Sequence, residues 1–360
     1  MTRAVDLLQY LLSERGSDLL IKVGSAPAMR RNGRLEMTTL EPMSPDAIEA
    51  IAREIMTPEK AEEFDRDGET DLAYSVPGLG RFRVNVYRQR GSVSLAIRRV
   101  VPGAPAIEDL GVPRIVADLA EQQEGLVIIS GPAGSGRTTT AAAMIDHING
   151  LEPRHIVTIE DPIEVLHADR NAVISQREVG TDTSDVVDAL RRVARQDADV
   201  IFVSSLMDAD AIAQALTVAA AGRLVIGVMD TLSVLDTLRW LVDRQPSHAQ
   251  EHTRHLLARV LRGIVCQRLM DRADGRGRIA LVESLTGTMK VRDAISNGVD
   301  STLIERLMSE GEYHGMATND QALLNLYSDE LISWESAILR ASHPEDFRIA
   351  VQQAGLPTMR

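Results

Sequence analysis

Apolar positions follow different rhythms along this chain, and the rhythm changes in blocks. Up to residue 100 they alternate over short stretches. Phe82, Val84 and Val86 interleave with Arg81, Arg83 and Asn85, the period-two pattern of a half-buried strand. Further strands are expected in Arg15–Gly24, across Ala28–Leu40 with a bend at Asn32-Gly33, at Asp71–Val76 and at Ser92–Val100. Two helices lie among them. Val5–Ser13 is one; the other opens at Ser44-Pro45, a serine cap followed by a proline whose missing N–H costs nothing at the first helical position. In that second helix Ile48, Ile51, Ala52 and Ile55 fall at helical spacing. Residues 1–100 therefore predict a small α/β domain, with Arg98-Arg99 on a solvated sheet face. Val101–Pro105 holds two prolines and a glycine and reads as a linker, which we extend to residue 113.

Beyond the linker the apolar residues come in unbroken runs: Leu126–Ser130, His155–Glu160, Val200–Ser204 and Leu224–Val228. Such runs separated by helical stretches imply a parallel sheet covered on both faces, which binds ligands at the carboxyl ends of its strands. After Asp271 the alternation stops. A turn at Asp274–Gly277 leads to one strand, Arg278–Leu285, and then to helices at Val291–Ser296, Leu303–Ser309, Asn319–Ser328 and Trp334–Ala341. There is no internal repeat.

Composition narrows the function classes. The 360 residues exceed a usual single domain. A net charge of −13 and an aromatic content of 3% argue against a nucleic-acid binder, which needs a basic face and stacking platforms. No apolar run approaches the roughly 18 residues of a membrane span, and Met1–Leu7 carries an early acid and no clear cleavage site, so neither a span nor a signal peptide is expected. The single cysteine, Cys266, excludes an intrachain disulfide and fits a reducing cytosol. It is read as a buried, inert thiol in an apolar helix.

The chemistry concentrates in Gly131-Pro132-Ala133-Gly134-Ser135-Gly136-Arg137-Thr138-Thr139-Thr140. The run Gly125–Ser130 leads in and the helix-forming run Ala141–Ile148 leads out. Strand, glycine loop, helix is the setting in which a P-loop works. The glycines let successive N–H groups turn inward around an anion, and the helix start adds its own N–H groups and the positive end of its dipole. Gly131, Ala133, Gly134, Ser135, Gly136, Arg137, Thr138 and Thr139 are the candidate nucleotide-binding residues, with Thr138 placed to hold Mg²⁺. In the motif G-x-x-x-x-G-K-[ST], Arg137 stands where the lysine belongs. A second cluster, Thr158-Ile159-Glu160-Asp161-Pro162-Ile163-Glu164, packs three carboxylates into a strand end. Glu164 and Glu160 are the candidates for orienting an attacking water, and Pro162 sets the turn that aims Glu164.

Gly131–Thr140, Thr158–Glu164 and Ile174–Gly180 at this spacing resemble the secretion ATPase superfamily, and within it the type IV pilus retraction ATPases, the PilT class. The likeness spans nearly the whole chain. Ser17–Leu19 and Gly80–Asn85 resemble the N-terminal domain of that family, Ala189–Arg192 and Asp199–Val203 its core, and Gly287-Thr288 with Val291–Ile295 its C-terminal segment. The resemblance implies an α/β protein: a PAS-like domain over residues 1–100, a linker over 101–113, a RecA-like P-loop ATPase domain over 114–285 and a helical segment over 286–360. It further implies ATP or ADP with Mg²⁺ as cofactors, a cytoplasmic location peripheral to the inner membrane through the pilus machine, and a hexamer. That hexamer would contain this chain alone or mixed with an active paralogue, with the inner-membrane platform protein of the pilus as a partner.

Departures from the family pattern set the expected activity. Ser205 in Ser204-Ser205-Leu206-Met207-Asp208 occupies the glutamate position of Gly-Glu-Met-Arg-Asp. Arg223 and Asp230 in Gly222–Thr231 replace the two histidines of the family's His box. Arginine's wide fork is not equivalent to a slim lysine where oxygens crowd. Losing one positioned acid or base costs roughly 10²–10⁴ in rate. From a turnover of about 10 s⁻¹, that leaves about one event per ten to a thousand seconds. The expectation is a nucleotide-binding but hydrolysis-deficient relative that regulates or supports a retraction motor. The alternatives are an active retraction ATPase and a non-motor scaffold or signalling module.

Overall fold

The computed structural model describes residues 3–31 and 34–358; the expected Asn32-Gly33 bend lies outside the described residues. The chain forms two compact units, Met1–Pro102 with Glu164–Leu166, and Gly103–Ile163 with His167–Arg360.

The first unit runs α1 (Ala4–Ser13), β1 (Asp18–Ile21), β2 (Ala28–Arg31), β3 (Arg34–Met37), α2 (Pro45–Ile55), α3 (Pro58–Asp67), β4 (Glu69–Val76), β5 (Gly80–Gln89), β6 (Ser92–Arg99) and the short β7 (Val101–Pro102). Strands β1 to β6 make one antiparallel sheet in the order β3-β2-β1-β6-β5-β4. Ser44 accepts from the Ala47 N–H ahead of Pro45, so α2 starts as its sequence dictates. Its buried face, Ile48, Ile51, Ala52 and Ile55, packs with Leu7, Leu8 and Leu11 of α1 onto Leu19, Phe82, Val84, Val86, Leu95 and Ile97 of the sheet. Arg98, exposed on this sheet, pairs with Asp18 at 2.7 Å. Helix α3 has no apolar stripe to announce it, since Phe64 is its one buried residue. Thr57 caps it, Pro58 opens it and left-handed Gly68 closes it.

The second unit comprises α4 (Ile115–Ala120), β8 (Gly125–Ser130), α5 (Arg137–Leu151), β9 (His155–Glu160), β11 (Val173–Glu178), α6 (Val186–Val193), β12 (Val200–Val203), α7 (Ala209–Ala220), β13 (Leu224–Met229), α8 (Val234–Asp243), α9 (Gln250–Val260), β14 (Leu261–Asp271), β15 (Arg278–Thr286) and α10 to α14 (Met289–Ser296, Ser301–Ser309, Asn319–Ser328, Trp334–Arg340, Pro344–Gln353). The two-residue β10 (Val165–Leu166) pairs with β7 and so belongs to the first unit. The main sheet has the order β11-β9-β12-β13-β8-β14-β15, parallel throughout except for the edge strand β15. Its two faces bury separate apolar clusters. One gathers Ala189, Leu190, Ala215, Leu216, Leu238, Leu241 and Leu257 from the helices; the other gathers Val116, Leu119, Met144, Ile145 and Ile148. The strand that feeds the glycine loop is clamped between them, with Leu126, Val127, Ile128 and Ile129 fully buried at about 1.5–3 kcal/mol each.

The sheet is larger than the four apolar runs indicate. Strand β11 carries too many polar residues to read as an apolar run, and Arg278–Thr286 is part of the sheet as its antiparallel edge. Cys266 lies in a strand, β14, and not in a helix. Helix α9 passes directly from Val260 into Leu261 of β14 with no intervening loop, and Ile264, Val265 and Cys266 are all buried. A strand covered on both faces loses the alternation that would have marked it. The thiol is buried as expected, and burial pushes it up to about 12, far from the thiolate that reactivity needs.

Candidate nucleotide-binding site

Strands β8, β9, β12 and β13 all end at the same edge of the sheet, and the candidate chemistry follows from what each carries there. After Ser130 the chain turns through Gly131, Gly134 and Gly136, with φ of 146°, 76° and 90°. At two of these a Cβ would also crowd Gln267. A Cβ on Gly131 would sit 2.1 Å from the Gln267 carbonyl oxygen, and one on Gly136 would sit 2.8 Å from Gln267 Nε2. Gln267, on β14 and 3% exposed, is the inner former of the loop. Its Nε2 donates to the Ser135 carbonyl at 2.9 Å and its Oε1 accepts from Thr140 Oγ1 at 2.8 Å. It ties the loop to the first turn of α5. The reading from sequence missed this residue, because β14 was not visible as a strand.

The loop fits a phosphate. Helix α5 starts from Gly136, so no side chain caps its first N–H groups, which leaves the helix terminus as an anion site. Among the described residues the Ser135 hydroxyl is buried with no hydrogen-bond partner, an orphan polar atom that wants an acceptor or donor. Ala133, Gly134, Thr138 and Thr139 line the exposed rim. The described residues hold no cluster of three His, Cys, Asp or Glu side chains fit for a metal. Thr138 is the loop residue that would hold Mg²⁺ beside the phosphate oxygens.

Arg137 does not point along an unobstructed path. Its Nη1 donates to the Met229 carbonyl at 2.7 Å and pairs with Asp230 at the end of β13. The loop that follows is anchored by a chain of buried hydroxyls. Thr231 Oγ1 and Thr237 Oγ1 share a 2.6 Å hydrogen bond, and Thr237 donates to Ser130 Oγ at 3.1 Å. Arg223, by contrast, precedes β13 at its amino end, 3.8 Å from Asp199. Six residues of extended strand put it on the order of 20 Å from the loop edge, so within one subunit it takes no part in the site.

The acidic run divides. Glu160 is 6% exposed and is braced inside the sheet, accepting from Thr158 Oγ1 at 2.6 Å and Gln176 Nε2 at 2.9 Å. It is a buried carboxylate satisfied by its neighbours. The Asp161 N–H donates to Ser204 Oγ at 2.9 Å and the Ile163 N–H to Glu178 Oε2 at 3.0 Å, so β12 and β11 pin the turn together with Pro162. Glu164 is exposed and immediately precedes β10, in the first unit. The loop, Gln267, Arg137 and Asp230 all belong to the second unit. Ser205 follows β12, exposed, and brings no carboxylate to that strand end.

A glycine loop between a buried strand and an uncapped helix, on a parallel sheet, defines a P-loop nucleotide-binding domain of the RecA-like kind. The family described as type II/IV secretion system protein matches residues 112–301, more than half of the chain, and the chain belongs to that family. Within it the similarity runs to pilus ATPases. The type IV pilus retraction ATPase PilT of Pseudomonas aeruginosa is 34% identical over 95% of this chain and 99% of its own. The type IV pilus ATPase PilU of the same organism is 34% identical over 96% and 90%. A crystal structure of the pilus retraction motor PilT with bound ADP superposes with a TM-score of 0.86 at 34% identity, covering 96% of this chain and 99% of that one.

Proposed function

We propose that this chain is a nucleotide-binding member of the pilus ATPase group that hydrolyses ATP weakly or not at all, and that it regulates or supports a retraction motor. The observation that carries the reading is Arg137. In the lysine position of the loop it is engaged with Met229 and Asp230, while Ser205 leaves the end of β12 without the family's acid. ADP in the similar PilT structure supports nucleotide as the ligand. The chain assembles as a hexamer, alone or mixed with an active paralogue, on the cytoplasmic side of the pilus platform. The occurrence of PilT and PilU, two pilus ATPases in one organism, supports such pairing. The test is phosphate release from the pure protein beside a Glu164→Ala control. No difference is expected. Turnover near about 1 s⁻¹, within the ordinary enzyme range, that vanishes in the control would establish the second reading, an active motor. That reading is favoured by the complete set of loop glycines and their Gln267 support.

A further inference from the structure

Two of the departures from the family pattern, 93 residues apart, meet in space. Arg137 is the first residue of α5, and its side chain crosses to the neighbouring strand end, where Nη1 spends its donors on the Met229 carbonyl and the Asp230 carboxylate. The two partners differ in freedom. Asp230 sits on backbone fixed at both sides: the Val228 carbonyl accepts from the Leu206 N–H, Met229 is buried, and Thr231 is locked through Thr237 to Ser130. Its carboxylate is nevertheless 63% exposed, whereas the Arg137 side chain is 15% exposed. Arginine's longer side chain has more rotatable bonds than aspartate's, so a rotamer change of Arg137 is what would part the pair.

We infer that Asp230 and Arg137 form a latch on the phosphate loop: the guanidinium is held on the end of β13 by Asp230, and a nucleotide must take it away to gain it as a phosphate ligand. The inference rests on the nucleotide-binding reading above and adds its regulation. Phosphate and carboxylate compete for one cation, and as like charges they also repel each other. A binding-competent form present one-tenth of the time weakens apparent affinity about tenfold. A lysine with a histidine in these two positions would make no such fixed ion pair. The paired change therefore converts a permanent phosphate ligand into a conditional one.

The experiment is titration of the full chain with ADP, using wild type, Asp230→Ala, Arg137→Ala and the double variant, with a thermal unfolding cycle on the same four proteins. Asp230→Asn serves as a second, near-isosteric variant. The expected result is ADP affinity about tenfold tighter in Asp230→Ala and Asp230→Asn, and a change within about twofold when Asp230→Ala is made in the Arg137→Ala background. Equal tightening in both backgrounds would mean plain repulsion of phosphate by Asp230, and the latch is then wrong. Weaker binding in Asp230→Ala would mean that Asp230 aims the arginine, which also overturns it. If wild type binds ADP and Asp230→Ala leaves affinity unchanged, the latch alone falls. If no variant binds ADP at millimolar concentration while the thermal cycle still shows coupling between the two residues, the ion pair gates nothing, and latch and binding reading fall together.

Discussion

Gln267 decides the shape of the glycine loop from behind. Its amide satisfies one loop carbonyl and one helix hydroxyl from a position that is 3% exposed, so no water can take over either bond. A buried amide cannot be removed without leaving partners unpaired, at about 1–3 kcal/mol for each. Gln267→Leu, which preserves bulk, is expected to lower stability by about 2–3 kcal/mol and to weaken ADP binding about tenfold or more. Thermal unfolding and titration check the two effects together. Normal affinity in a destabilised variant would show that Gln267 braces the fold and not the loop. At this scale the sequence was legible only where residues are neighbours. Gly131–Thr140 declared itself, since its members are contiguous. The partners of Gln267 lie 127 and 132 residues away and those of Arg137 lie 92 and 93 away, so nothing local in the chain announces them. Arg223 shows the reverse: it is a motif position next to apolar Leu224, and within one subunit the length of β13 removes it to the other end of the sheet.

Elements were legible in proportion to how uneven their burial is. Helix α2 and strand β5 each hide one face, and their boundaries follow from spacing and caps. Strand β14 is covered on both sides and abuts a helix, so its apolar residues carry no period to read. Its partner β15 brings Glu283 under the start of α8, where the Val234 N–H donates to Glu283 Oε2 at 3.0 Å beside the Ser233 cap. Burial raises this carboxyl to about 7, with the charges of Asp236 and Glu305 adding to it; the Val234 N–H and Arg268 pull it down. Because the folded value lies above the ordinary value of 4.5, the native state binds the proton more tightly than the unfolded chain. Its contribution to stability is full below about pH 4.5, is lost as pH rises through about 7 and is absent above. Glu283→Gln keeps an acceptor for Val234 and removes the charge. It is expected to stabilise by about 3 kcal/mol at pH 8, from the distance between 4.5 and about 7, and by almost nothing near pH 4.5. The measurement is unfolding by denaturant at the two pH values. A gain of the same size at both would place the effect in packing and not in the carboxyl's proton.

For the whole molecule, the change of apolar rhythm after residue 100 was the readable signal, because alternation in one block and unbroken runs in the next report two kinds of sheet. The return of β10 to β7 was not readable: Val165-Leu166 is too short for any pattern, and Val101-Pro102 carries a proline inside what looks like a linker. This small parallel pair is what the first unit borrows from the later chain. Its few backbone bonds contribute about 0.5–1.5 kcal/mol each, whereas the first unit's own core buries Leu7, Leu8, Leu11, Ile48, Ile51, Phe64, Phe82 and Leu95 completely or nearly so at about 1.5–3 kcal/mol apiece. The core wins by a wide margin. Residues 1–102 expressed alone are therefore expected to fold and to unfold cooperatively, a few degrees below the corresponding transition in the full chain. Residues 103–360, which hold the other clusters intact, should fold as well. Circular dichroism melts and amide exchange on each fragment decide the matter. If residues 1–102 show no cooperative transition and no protected amides in β5 and β6, the borrowed strand is part of the folding unit, and the boundary at Pro102 does not mark an independent domain.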